Sequence, residues 1–110
     1  MKYLLAAIIV ICASSSLRAG EFISVYGVSD LSCGKYLSDI SDNRNAANVY
    51  DWWVAGFVTG SNLEKERILG TDNFGHSAWI KQYCEKNSLD PFMKAAIELN
   101  KELDKKKRSP

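Results

Sequence analysis

The chain of 110 residues carries one histidine, His76, so any Ser-His-Asp relay has to use it, with Asp72 and Ser77 as its nearest partners in sequence. Such a relay needs the imidazole held between a hydroxyl nucleophile and an orienting carboxylate. No nucleophile elbow surrounds Ser77, and His76 falls at a helix start, where a polar residue needs no special reason. Glu64 with Glu66 and Glu98 with Glu102 are paired carboxylates on faces expected to be solvated. A catalytic acid needs burial to move its pKa. No glycine-rich phosphate loop and no metal motif appear. The reading is a non-enzyme with no catalytic residues, no metal and no cofactor, and binding is the chemistry left to it.

Binding chemistry centres on Asn45–Asn62. On a helix of 3.6 residues per turn, Asn48, Asp51, Ala55 and Thr59 form one narrow stripe, polar apart from Ala55, and nearly everything else is apolar. Ala46, Tyr50, Trp53, Phe57 and Gly60 lie opposite it. The expectation is a central helix touched on several sides. Gly56 and Gly60 sit on one flank, and since glycine costs about 1 kcal/mol inside a helix, the pair suggests a close backbone approach. Trp52 lies at the edge of the polar stripe beside Asp51. Exposed tryptophan is enriched where proteins grip each other; the competing expectation is that Trp52 packs under the Ser61–Asn73 connection. Trp53 and Trp79 read as core. Candidate partner-binding residues are Trp52, Asp51, Asp72 and Asn73.

The elements that position these residues follow in order. Lys2, the apolar run Tyr3–Ala13 and the polar stretch Ser14–Ala19 make a secretory signal peptide over residues 1–19, with cleavage after Ala19. Its eleven apolar residues are too few for a span of about 20. Bulky Ile9, Val10 and Ile11 argue against Cys12 as a lipid-attachment site. A soluble periplasmic or secreted domain of 91 residues, 20–110, is expected, without stable membrane insertion after cleavage. Without Lys2 and Arg18 it has 12 basic and 13 acidic residues, net −1. Four of the cations are Lys105–Arg108 in a basic tail over 105–110, so the body is acidic and does not suit nucleic acid. The tail reads as a helix end whose cations favour the helix dipole.

Cys33 and Cys84 remain, an even pair that in an oxidising compartment most simply means one disulfide. Free thiols, a metal site and a catalytic thiol are the competing readings, with no C-x-x-C pair and one histidine to support a metal. Phe22–Val28 reads as a short extended segment. Ser32 as N-cap starts a helix to about Ser41, with Cys33, Tyr36, Leu37 and Ile40 inward. Asp42–Arg44 is a turn. A further helix starts between Asp72 and Gly75 and buries Trp79, Ile80, Tyr83 and Cys84. Asp90-Pro91 opens the last helix, to about Lys106, with Phe92, Ala96, Leu99 and Leu103 in one seam and Lys94–Glu98 on its surface. The fold class is all-α, four helices stapled by one disulfide.

Several pieces together resemble a known group: Ser32-Cys33-Gly34-Lys35-Tyr36-Leu37, the helix with Trp53, Gly56, Phe57 and Gly60, the loop Gly70–Asn73, and above all Trp79-Ile80-x-x-Tyr83-Cys84-x-x-Asn87. The chain is similar, over about Ser32–Leu103, to small periplasmic helical proteins that include the immunity proteins of type VI-secreted peptidoglycan amidases. It resembles HdeA-like acid-stress chaperones more loosely. Many relatives have proline directly after the asparagine; here Ser88 follows Asn87 and the proline is Pro91. The resemblance implies a helical domain with a Cys33–Cys84 disulfide and a protein partner, for example a cell-wall amidase. A homodimer is compatible with it, and function is left between immunity and acid-activated chaperone.

Overall fold

The computed structural model describes residues 26–68 and 71–108. The expected signal peptide over 1–19 and residues 22–25 of the expected extended segment lie outside them. A 3₁₀ turn, Gly27–Asp30, precedes four helices: α1 (Cys33–Asp42), α2 (Arg44–Glu64), α3 (Asn73–Lys86) and α4 (Phe92–Arg108). No strand occurs among the described residues; Ser32 and Pro91 form one isolated bridge. Of the segment expected to be extended, Tyr26 is extended but Gly27 and Val28 belong to the 3₁₀ turn. Gly27 has φ +81°, and a Cβ there would lie 3.0 Å from the Trp53 ring, so only glycine fits. The Trp53 indole N–H donates to the Tyr26 carbonyl at 2.9 Å, tying this turn to α2.

The helix boundaries follow from side chains that satisfy otherwise orphaned backbone N–H groups. Ser32 accepts from Lys35 N and Asp72 from Gly75 N. The turn between α1 and α2 is one residue, Asn43, which caps both: its N–H donates to Asp39 O, and its side chain accepts from Asn45 N. The start of α1 is also capped from a distance. Cys33 N donates to Asp90 O and Gly34 N to Ser88 O, each at 2.8 Å, while Phe92 N donates to Leu31 O at 2.7 Å. The Asp90 side chain, expected to cap α4, instead accepts from Tyr83 Oη at 2.5 Å and faces Lys94 Nζ at 3.7 Å. Glu98, expected to pair with Lys94, pairs with Lys101. The bond to Asp90 and partial burial push the Tyr83 phenol up to about 12.

The α4 seam Phe92, Ala96, Leu99 and Leu103 is buried, together with Ala95. Against it lie Cys33 and Tyr36 of α1, Tyr50, Val54 and Val58 of α2, and Ile80 and Cys84 of α3. Leu37, Ile40, Trp53, Trp79 and Tyr83 are partly buried around this core. The disulfide joins Cys33 and Cys84, with Cα atoms 4.8 Å apart, and staples α1 to α3. Buried Tyr36 and Tyr50 pack their rings edge-on at 4.9 Å, and the Tyr50 hydroxyl donates to Asp39 at 2.7 Å.

Candidate protein-docking surface

The groups that could have formed a hydrolytic relay are held apart. Ser77 Oγ donates to Asp51 Oδ1 at 2.6 Å, and the Asp72 carboxylate is occupied by Gly75 N at 2.9 Å. His76 Nε2 lies 3.0 Å from Thr71 Oγ1, while its Nδ1 is buried with no hydrogen-bond partner. Among the described residues no cluster of three His, Cys, Asp or Glu side chains could hold a metal.

His76 was expected as a polar residue at a helix start with no special role. It is instead 7 % exposed, beside a small cavity of about 90 Å³ lined also by Trp79, Leu99 and Leu103. Burial lowers its pKa; Asp72 opposes the shift, while Arg67 and Lys106 reinforce it. The unfolded chain therefore takes up a proton below about pH 6.5 that the native state resists. Stability contributed by neutral His76 is present above that pH and falls as pH drops, levelling off once the native imidazole protonates. The denaturation midpoint of the wild type is expected to decline between pH 7 and 5. In His76→Gln that part of the decline disappears; an equal slope in both would assign it to other groups.

The exposed face of α2 differs from the one expected. Asn48 and Thr59 are exposed, but Asp51 turns toward α3 to accept from Ser77, and Ala55 is half covered. The open face runs instead through Val49, Trp52, Gly56, Gly60 and Leu63. Trp52 is 74 %, Val49 57 % and Leu63 76 % exposed, so Trp52 does not pack under the following connection. A Cβ added at Gly56 or Gly60 would meet nothing within 4 Å, so no backbone among the described residues explains either glycine. The helix is consequently one-sided, with Tyr50, Val54 and Val58 as its buried residues.

The second open region is the connection from α2 to α3. Glu66, with φ +51°, adopts the left-handed conformation that ends a helix, and Arg67 N closes back on Asn62 O at 2.8 Å. That turn drives the Arg67 side chain inward. Its guanidinium donates to Asn62 Oδ1, Asn100 O, Asn100 Oδ1 and Asp104 Oδ1 at 2.6–3.2 Å. Arg67 is 3 % exposed, although its charged neighbourhood reads as plain surface in the sequence. Lys65, which also donates to Asp104, and Arg67 hold that carboxyl below its ordinary pKa. At the far end, Thr71 is tied to His76 and Asp72 caps α3. Between and beside these anchors, Ile68 is 96 % and Phe74 86 % exposed, with Asn73 also exposed. A groove of about 360 Å³ lies next to Ile68, lined by Thr59, Asn62, Leu63, Glu66 and Arg67.

Of the four candidate partner-binding residues, Trp52 and Asn73 are open to solvent, whereas Asp51 and Asp72 are engaged within the fold. Val49, Leu63, Ile68 and Phe74 were not singled out in the sequence. Each is a large apolar residue whose exposure depends on how its helix is rotated or where its turn ends.

Comparison with protein-family models, curated proteins and solved structures finds no significant match to this chain. The likeness to periplasmic helical proteins is carried by the residues quoted for it alone. Among the described residues no helix is long and apolar enough to cross a membrane.

Proposed function

We propose that the protein is an exported, non-enzymatic binding domain that acts as an immunity protein, inhibiting a peptidoglycan-cleaving effector. We place its grip on the edge formed by Ile68, Asn73 and Phe74. The observation that carries this is the pairing of rigid anchors with open apolar tips: Arg67 and Thr71 are fixed, while Ile68 and Phe74 stay exposed. A recognition edge held in place before binding loses less entropy on association. Apolar anchors rimmed by polar groups are what an inhibitor inserts into a partner's cleft. A disulfide-stapled helical domain fits an oxidising compartment outside the cytoplasm.

The test is inhibition of purified type VI-secreted cell-wall amidases by the oxidised 20–110 domain. For the cognate enzyme, Ile68→Ala with Phe74→Ala is expected to weaken inhibition roughly 10- to 100-fold. Thermal stability should be nearly unchanged, because both side chains are exposed. Full inhibition by the double variant removes this edge, and failure to slow any such amidase removes the inhibitor reading.

A second reading, an acid-activated chaperone, is favoured by the buried, unpartnered His76 Nδ1, which resists protonation in the native state. On that reading the protein loosens in strong acid and keeps client proteins soluble. A domain that remains folded and inert towards clients in acid excludes it.

A further inference from the structure

Of the segment Trp79-Ile80-x-x-Tyr83-Cys84-x-x-Asn87, the fold explains only half. Ile80 and Cys84 are buried in the core, and Cys84 carries the disulfide. Trp79, Tyr83 and Asn87 recur at four-residue spacing, so they lie along one stripe at the end of α3. All three are only partly buried. With Gln82 and Lys86 they line a surface pocket of about 160 Å³. Its wall is fixed. The Trp79 and Tyr83 rings stack into one aromatic block, with centroids 5.6 Å apart and planes within 13°. Asp90 holds the Tyr83 hydroxyl at 2.5 Å, and the Asn87 side-chain amide donates to Tyr83 O at 2.9 Å. Its rim is unengaged. Among the described residues, Gln82, Lys86 and the Asn87 side-chain oxygen have no hydrogen-bond or ion-pair partner. The nearby carboxylates do not neutralise Lys86, because Glu85 pairs with Lys81 and Asp90 is taken by Tyr83 and Lys94.

We propose that this pocket binds one ring of an acidic hexose, its C–H face against the Trp79–Tyr83 pair and its carboxylate towards Lys86. A pyranose ring presents C–H bonds of slight positive charge on one face, and these pack against the negative face of an aromatic ring. Its hydroxyls, around the edge, need both donors and acceptors, which the Gln82 amide and the Asn87 oxygen supply. Lys86 is a flexible point charge with three donors, suited to a carboxylate substituent. The pocket is too small for a folded partner or an extended peptide, and one ring fills it. Binding of a single sugar in so shallow a site is weak, with Kd on the order of 1 mM. Muramic acid in a cell-wall glycan and the uronic acids of other polysaccharides share this chemistry. The pocket has no residue in common with the Ile68–Phe74 edge and does not rest on the inhibitor reading.

The test is a heteronuclear NMR titration of the oxidised 20–110 domain with N-acetylmuramic acid, glucuronic acid, N-acetylglucosamine, glucose and, as a carboxylate without a ring, lactate. The Trp79 indole signal should shift saturably with an acidic sugar, while those of Trp52 and Trp53 stay in place. The neutral sugars should bind several-fold more weakly, and lactate should leave Trp79 unmoved. Lys86→Gln should weaken the acidic sugars about fivefold or more and leave the neutral ones unchanged, and Lys86→Arg should restore most of the loss. Gln82→Ala should weaken every sugar. Gln82 and Lys86 are exposed, so these variants should fold and melt close to the wild type. A response to N-acetylmuramic acid alone supports the site and assigns it to cell-wall glycan; a response to glucuronic acid alone supports it and assigns it to another polysaccharide. An unmoved Trp79 signal with every sugar, an equal response to lactate, or undiminished binding of acidic sugars by Lys86→Gln overturns the proposal. Amidase inhibition by Lys86→Gln should equal that of the wild type, so loss of sugar binding and loss of inhibition are read separately.

Discussion

Phe92→Ala is expected to destabilise the domain by about 3–5 kcal/mol, the usual cost of truncating a fully buried aromatic. Phe92 is 0 % exposed, and its ring centroid lies 4.9 Å from Tyr36, 5.0 Å from Tyr50 and 5.8 Å from Trp53. Among the described residues it is the one ring in contact with α1 and with two aromatic residues of α2, so its removal opens a cavity that no single neighbour can fill. Its own backbone N–H also joins the start of α4 to Leu31. Domains of this size are stable by only about 5–15 kcal/mol, so the variant should melt on the order of 20 °C lower. Leu89→Ala serves as the control, because Leu89 is 95 % exposed and its loss should barely register. A loss below about 1 kcal/mol for Phe92→Ala, against that range for core aromatics, would mean that the four rings do not form the centre of the core.

Opening the disulfide is expected to have a comparable effect through the unfolded chain. Cys33 and Cys84 are 51 residues apart, and closing a loop of that length removes about 4 kcal/mol worth of denatured-state entropy. Both sulfurs belong to residues that are 0 % exposed, so a reductant should act slowly on the native protein and quickly once it opens. The comparison is denaturant unfolding of the oxidised protein and of the Cys33→Ala, Cys84→Ala double variant, which also excludes effects of the reductant. The double variant should unfold at clearly lower denaturant. It should retain helices, because the caps at Ser32, Asn43 and Asp72 do not involve sulfur. Equal midpoints would show that the staple adds nothing to the net stability of this fold.

These expectations rest on features with different legibility. The cap at Ser32 and the Phe92–Leu103 seam could be read because each is local: a short polar side chain before a run at helical spacing, or apolar residues three and four apart. The rotation of α2 could not. In the sequence its polar stripe marks the outer face, yet the exposed face is displaced by about 80° of the helix circumference. A contact across 26 positions, Ser77 to Asp51, gives a carboxylate a hydrogen bond on the inner side. A helix that is apolar over most of its circumference has little to lose by turning, so one such bond with the ring packing of Tyr50 can decide the outcome. Arg67 is a second case. Its neighbours Glu64, Lys65 and Glu66 suggest surface, and only the left-handed turn at Glu66 sends its guanidinium toward Asn100 and Asp104. His76 is a third, buried by α4 residues that no local pattern connects to it.

By itself, the sequence determined an all-helical fold class, a helix start at Cys33 and another between Asp72 and Gly75, the inward face of α4 and a pair of cysteines available to join α1 to α3. Those properties depend on interactions within a turn or two of helix, or on counting residues. Which apolar residues remained outside was decided only by tertiary structure. Trp52, Val49 and Leu63 on one face, and Ile68 and Phe74 on one edge, are exposed because the remaining helices offered them no complementary surface. That is a property of the whole packing rather than of any segment.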